Sequence, residues 1–137
     1  MRKLTLAIAA AIALASAGCT ADATVIEIGE EVFVERISEI RLDAEAFRGM
    51  TVRYEGIFRT LRAPQQFGSN HIVTRLTEGC CGEVQIGLGV ILPDDMRPIR
   101  NGAWVEVTGA LDVVDGRPVV IVSSISETAE HGERLVR

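Results

Sequence analysis

From Met50 onward the chain consists of short strand-like segments, and this pattern restricts it to a small β-rich fold. In two of them, Thr51–Thr60 and Val84–Val90, apolar side chains recur at every second position, which is the period of a strand with one buried face. The five segments are Thr51–Thr60, His71–Thr77, Val84–Val90, Ala103–Leu111 and Pro118–Ile125. Asp115-Gly116 separates the last two segments and is a strong signal for a hairpin turn. The pattern therefore predicts five strands.

Glycines inside the first and fourth segments narrow the range of possible folds. Gly56 and Gly109 interrupt the first and fourth segments, and strand glycines often mark the sharp bends of a small closed barrel. We therefore predict a mainly β fold, a five-stranded barrel of the oligonucleotide/oligosaccharide-binding (OB) type. Ahead of it, Thr24–Ile28 is strand-like, and apolar residues from Glu30 to Leu42 fall at helical spacing. These residues predict a short N-terminal strand and helical segment packed against the barrel.

Residues 1–18 have the pattern of an export signal. Arg2 and Lys3 supply a positive start, and the stretch from Leu4 to Leu14 is nearly all apolar. This stretch is too short for a membrane-spanning helix, which needs about 20 residues. We therefore expect the protein to be exported to the cell envelope.

Two processing routes fit the end of this signal. Ala15-Ser16-Ala17 matches the small-x-small rule of ordinary signal peptidase. Ala17-Gly18-Cys19 resembles a bacterial lipobox, in which the cysteine is lipidated and becomes the new N-terminus. The chain has three cysteines, and lipidation of Cys19 would leave an even pair in an oxidising compartment. The cysteine count therefore favours a lipoprotein over a soluble periplasmic protein.

The chain divides into a signal over residues 1–18, a polar tether over 19–23, one domain over 24–127 and a flexible polar tail over 128–137. Removal of the signal changes the formal charge from −5 to −7, because Arg2 and Lys3 are the only charged residues lost. An acidic surface disfavours nucleic acid and anionic lipid, since both are bound through basic patches. We expect no nucleic-acid partner, and a membrane contact through a lipid anchor.

Cys80 and Cys81 are the most reactive groups in the sequence. They lie in the stretch Glu78-Gly79-Cys80-Cys81-Gly82, a glycine-flanked turn of the kind that usually faces solvent. Three states are compatible with adjacent cysteines. The pair forms a strained vicinal disulfide, binds a soft metal such as Zn or Cu as two thiolates, or packs as inert thiols.

Other side chains would complete a metal site. His71 is the natural third ligand if residues 67–71 fold near the cysteine turn, and Glu83 follows the thiols closely. The candidate metal ligands are therefore Cys80, Cys81, His71 and Glu83. The two-residue gap of zinc sites and of thioredoxin-like catalysts is missing. We accordingly expect a non-enzymatic protein, with thiol-disulfide exchange as an alternative.

The chain also resembles a known family over nearly all of its mature length. The resemblance is carried by Val25–Ile28, Phe47–Gly49, Val52–Phe58, Val73–Arg75, Cys80-Cys81, Ile86–Leu88 and Trp104–Gly109. These segments are similar to the C-terminal domain of YcgQ-like membrane proteins, whose domain has no settled biochemical activity. The resemblance implies an OB-like fold outside the cytoplasm and a permease-type membrane protein as partner. Here Gly82-Glu83-Val84 follows the cysteines, where the family carries a small-Asp-small stretch.

These features favour an envelope-anchored binding or transporter-accessory module that handles a soft metal ion through its adjacent cysteines. An OB protein that binds oligonucleotides or oligosaccharides is the alternative, since Trp104–Val119 is similar to the last two strands of such domains. The acidic charge and the presence of only six aromatic residues argue against base stacking as its function.

Overall fold

The computed structural model describes residues 24–63, 67–129 and 131–137. The export signal, the lipidation residue Cys19 and the tether up to Ala23 lie outside these residues. Within the described part of the chain, no helix combines the length and the apolar character needed to cross a membrane.

Short helical elements precede most of the strands. The strands are β1 (Val25–Ile28), β2 (Thr51–Thr60), β3 (His71–Gly79), β4 (Gly82–Ile91), β5 (Trp104–Val114), β6 (Arg117–Glu127) and β7 (Leu135–Val136). A 3-10 turn (Glu30–Val32) and the helices α1 (Phe33–Leu42) and α2 (Ala44–Phe47) connect β1 to β2. Mainly β structure with few helices is thus confirmed.

The described strands form one sheet in the order β1-β2-β5-β6-β4-β3-β7, and β2 also pairs with β3. Five strands, β2, β5, β6, β4 and β3, therefore follow one another in a cycle of pairings. Within this cycle only β4 and β6 run parallel, and the other neighbours are antiparallel. The cycle brings distant parts of the chain together, because β6 joins the sheet beside β4 and β5 beside β2.

The predicted number of five strands is wrong, since the described residues contain seven. Strands β2 to β6 correspond to the five predicted segments, and β1 corresponds to the expected N-terminal strand. The additional strand, β7, lies within residues 128–137, which we expected to be a flexible tail. Leu135 pairs with Leu76 and Val136 with Thr77, and the Val136 side chain is buried in the core. A two-residue strand carries too little alternation to be recognised in a sequence.

Helix α1 covers the core with one apolar stripe. Phe33, Ile37 and Ile40 follow helical spacing, and all three are fully buried. Asp43 begins α2, where its carboxylate accepts a hydrogen bond from the Ala46 backbone N–H at 3.4 Å. Tyr54 of β2 packs edge-on against Phe33 with ring centroids 5.8 Å apart. The helical segment thereby closes over the inner face of β2.

Gly56 and Gly109 lie where neighbouring backbones approach closely. A Cβ on Gly56 would lie 2.8 Å from the carbonyl oxygen of Thr74, and a Cβ on Gly109 would lie 2.2 Å from that of Ile121. Gly109 also marks a shift of register between β5 and β6. Any side chain at either position would force the strands apart.

Candidate functional site

The hairpin formed by β3 and β4 positions the two cysteines. Its pairing is continuous from His71 opposite Val90 to Gly79 opposite Gly82, so the turn contains only Cys80 and Cys81. The segments before and after the turn are exposed, whereas the middle of both strands is buried. The cysteines therefore lie at the tip of a regular ladder whose base is fixed in the core.

Both thiols are free and exposed to solvent. Their Sγ atoms are 3.5 Å apart, compared with about 2.05 Å in a disulfide. Neither sulfur is sealed inside packed hydrocarbon. The pair is therefore open to metal ions, oxidants and partner proteins.

The glycines that flank the cysteines are required by the local geometry. Gly82 has a φ of +123°, in a region that residues with a side chain rarely adopt. A Cβ on Gly79 would lie 2.9 Å from the Val84 side chain. Glycine at these two positions allows a tight turn. The adjacent thiols therefore project from a backbone that tolerates few substitutions.

Two glutamates follow the Gly79–Gly82 pair that closes the cysteine turn. Glu78 and Glu83 are opposite each other across the ladder, and both are exposed. Like charges at directly opposed positions repel each other and destabilise the pair of strands. The tip therefore combines two thiols with a local excess of negative charge.

The structure does not bring His71 close to the thiols. The expectation that His71 is the third metal ligand is therefore corrected. His71 begins β3 and Gly79 ends it just before the cysteines, so at 3.3 Å per residue the strand between them is about 26 Å long. Its Nδ1 lies 3.1 Å from Thr60 Oγ1, and its ring stacks on Phe58 at a centroid distance of 5.4 Å. These contacts give His71 a structural role at the opposite end of the hairpin.

Glu83 lies two residues beyond Cys81 and faces Glu78. Among the described residues, no group of three or more His, Cys, Asp or Glu side chains is arranged to hold a metal ion. Of the expected ligands, the structure thus brings together Cys80 and Cys81. Cys19, the expected lipidation site, is outside the described residues.

A second polar site, which sequence analysis did not identify, is centred on Arg75. Its side chain is only 3% exposed, and its guanidinium carbon lies 5.0 Å from the ring centroids of both Phe33 and Trp104. Nε donates to the Glu55 carbonyl at 2.9 Å, and Nη1 donates to the Glu133 carbonyl at 3.2 Å. A buried arginine is thereby satisfied by two rings and two carbonyl groups.

Glu30 links this arginine to the C-terminal segment. Its Oε1 lies 3.3 Å from Arg75 Nη1 and accepts a hydrogen bond of 2.7 Å from the Glu133 backbone N–H. Burial lowers the pKa of Arg75, and the nearby Glu30 carboxylate opposes that shift. The Leu76 N–H donates to the Arg134 carbonyl at 2.8 Å, where β7 begins beside β3.

Trp104 connects the same cluster to the outer surface. Its indole N–H donates to the Glu55 carboxylate at 3.0 Å, and its ring lies 5.3 Å from that of His131. A groove of about 980 Å³ on this side is lined by residues 133–137 with Glu30 and Glu31, and neither cysteine contributes to it. An arginine inside the apolar run of β3 is the one sequence signal for this cluster.

The fold and the hairpin tip together define a small mainly β domain that presents an exposed pair of adjacent thiols. The family model described as the DUF1980 C-terminal domain matches residues 13–134. This match covers most of the chain, which therefore belongs to that family. It is consistent with the resemblance to YcgQ-like proteins. No curated protein matches the chain.

Proposed function

We propose that this chain is an envelope-anchored, non-enzymatic module that binds a soft metal ion through Cys80 and Cys81. The observation that carries the proposal is the pair of free, exposed sulfurs 3.5 Å apart at the tip of the β3–β4 hairpin. Thiolates are the ligands that select Zn and Cu(I) among the available metals. The continuous ladder behind the turn supports the proposal, because it holds both donors in place before a metal arrives.

The strand pairings support an OB-type barrel as the scaffold. A cycle in the order β2-β3-β4-β6-β5, with β4 parallel to β6, is the arrangement expected of a five-stranded Greek-key barrel. In this proposal β1 and β7 are additions at the two edges. A fold of this kind hosts many functions, so the thiols and not the barrel carry the functional proposal.

Location and partner follow from the sequence and the family. The export signal and the Ala17-Gly18-Cys19 segment support lipid anchoring at Cys19 in the cell envelope. The resemblance to YcgQ-like proteins supports a permease-type membrane protein as partner. Intact mass of the protein purified from bacterial membranes tests the anchor. A mass that starts after Ala17 without lipid would refute it.

Metal titration tests the proposed binding. The full chain carrying Cys19→Ser is reduced and titrated with Zn(II) and, under anaerobic conditions, with Cu(I). We expect binding of at least one of the two ions, and we expect Cys80→Ser and Cys81→Ser each to weaken it at least tenfold. His71→Asn is the matched control, since His71 is distant from the tip and should not affect affinity. Absence of stoichiometric binding of both ions would refute the proposal.

The same sulfur separation favours a second candidate, thiol-disulfide exchange. Adjacent thiols 3.5 Å apart need only a side-chain rearrangement to reach bonding distance. Incubation with glutathione disulfide would then yield an intramolecular disulfide with the loss of two hydrogens, together with two reduced glutathione molecules. Mixed disulfides that never resolve would exclude this function.

A further inference from the structure

The separation of the two sulfurs indicates which coordination geometry the tip accepts. In a tetrahedral site with metal–sulfur bonds of about 2.3 Å, two sulfurs lie about 3.8 Å apart. In a linear site with the same bond length they would lie about 4.6 Å apart. The observed 3.5 Å is close to the tetrahedral value. The tip therefore suits two neighbouring positions of a four-coordinate ion.

The position of the tip decides where the remaining ligands come from. Cys80 and Cys81 project from the end of the ladder and are open to solvent. In the described ranges, no third His, Cys, Asp or Glu side chain joins them at ligand distance. Two sulfurs fill half of a tetrahedral shell, and the other half faces outward, where a second molecule has access.

We propose that the tip is half of a four-coordinate metal site, and that a dithiolate of a different molecule supplies the other half. This inference rests on the proposed metal binding and names the partner chemistry of the same site. A site shared in this way passes its ion on by ligand exchange, since each half holds only two bonds. That property suits a module that delivers an ion to a transporter.

Charge explains why the second half belongs to a different molecule and not to a second copy. Each tip carries Glu78 and Glu83 opposite each other, separated from the cysteines by the Gly79–Gly82 pair. Two tips around one divalent ion would bring four carboxylates close to four thiolates. One dication cannot balance that charge, and like charges at short range repel. With a dithiolate that has no flanking acids, two carboxylates instead of four lie near the ion, and the repulsion is smaller.

Native mass spectrometry tests the inference with Cd(II) as the metal probe and dithiothreitol as the small dithiol. The reduced full chain carrying Cys19→Ser is mixed with both. We expect a complex of one chain, one Cd(II) and one dithiothreitol, with a thiolate-to-metal charge-transfer band. Cys80→Ser and Cys81→Ser should each lower its abundance at least tenfold, and His71→Asn should leave it unchanged.

Three other outcomes would overturn the inference. A complex of two chains with one Cd(II) as the main species would mean that the tips pair with themselves. Saturable binding of one Cd(II) by one chain, unaffected by dithiothreitol, would mean that this chain supplies the remaining ligands. In both cases the proposed metal binding would stand. Absence of Cd(II), Zn(II) and Cu(I) binding under all conditions would remove the proposed function as well.

Discussion

Arg75 of β3 and Glu30 of the first helical turn meet as an ion pair with Nη1 and Oε1 3.3 Å apart. The arginine is buried whereas the glutamate is 44% exposed. Glu30 also accepts the Glu133 N–H, and Arg75 donates to the Glu133 carbonyl. One ion pair therefore fixes three distant parts of the chain: the first helical turn, β3 and the C-terminal segment.

Replacing Arg75 by Met should destabilise the domain by about 2 kcal/mol. Removing one partner of a fully buried ion pair costs about 3–5 kcal/mol, and the partial exposure of Glu30 reduces this figure. Arg75→Lys should recover only part of the loss, since an ammonium lacks the planar group that lies between Phe33 and Trp104. Urea unfolding followed by circular dichroism measures both variants. An Arg75→Met protein as stable as the wild type would contradict a stabilising role.

Gly132→Ala should loosen the C-terminal segment. A Cβ at this position would lie 1.7 Å from Glu30 Oε1, so the carboxylate would have to move away from the Glu133 N–H. Loss of that hydrogen bond corresponds to about 1–2 kcal/mol.

Hydrogen exchange provides the measurement for Gly132→Ala. The amides of Glu133 and Leu76 should exchange faster in the variant, because both bond across this segment. The amide of Val90, in the ladder at the opposite end of the hairpin, is the internal control. Equal protection of Glu133 in both proteins would show that Glu30 accommodates the methyl group.

Removing one charge from the tip should stabilise the hairpin. Glu78 and Glu83 oppose each other with the same sign, and such pairs contribute about 0.2–1 kcal/mol unfavourably. Glu83→Gln should therefore raise the thermal midpoint, and added salt should reduce the difference by screening the repulsion. Asp95→Asn, in the exposed turn after β4, is the control for a general change of net charge, because Asp95 is not paired across a ladder. A larger gain from Asp95→Asn than from Glu83→Gln would contradict the pairwise argument.

The strands were predictable from sequence because their signals are local. Alternation over Thr51–Thr60 and the Asp115-Gly116 turn depend on neighbouring residues, and the structure contains both features. The cysteine turn was predictable for the same reason, since its flanking glycines are adjacent to it. Strand β7 was not predictable, because its two residues pair with β3, and Glu133 just before it is bonded to Glu30 and Arg75.

The expectation that His71 lies near the cysteines failed because it, too, depends on structure beyond neighbouring residues. A sequence shows that His71 and the cysteines belong to the same region, but not that a straight strand separates them. Once β3 forms, its rise of about 3.3 Å per residue places them at opposite ends. Arg75 was overlooked as a site because its partners, Glu30, Trp104 and Glu133, come from three other segments.

Alkaline pH should unfold the domain through Tyr54, the only tyrosine of the chain. Burial raises the pKa of Tyr54 above its ordinary value of 10.0, and its hydroxyl donates to the Val73 carbonyl at 2.9 Å. Below pH 10 the phenol is neutral in both the folded and the unfolded state, so the stability of the domain is not reduced by ionisation of Tyr54. Above it only the unfolded state ionises, and stability falls by about 1.4 kcal/mol per pH unit.

Near-ultraviolet absorbance of the phenolate measures this transition without interference from another tyrosine. Phenolate absorbance and loss of circular dichroism should rise together, because the buried ring ionises only when the fold opens. Tyr54→Phe is the control, since it keeps the ring and should lose the pH-dependent fall in stability that begins near pH 10. If phenolate formed near pH 10 while the circular dichroism stayed native, Tyr54 would be accessible to solvent, and the burial of its hydroxyl against the Val73 carbonyl would be disproved.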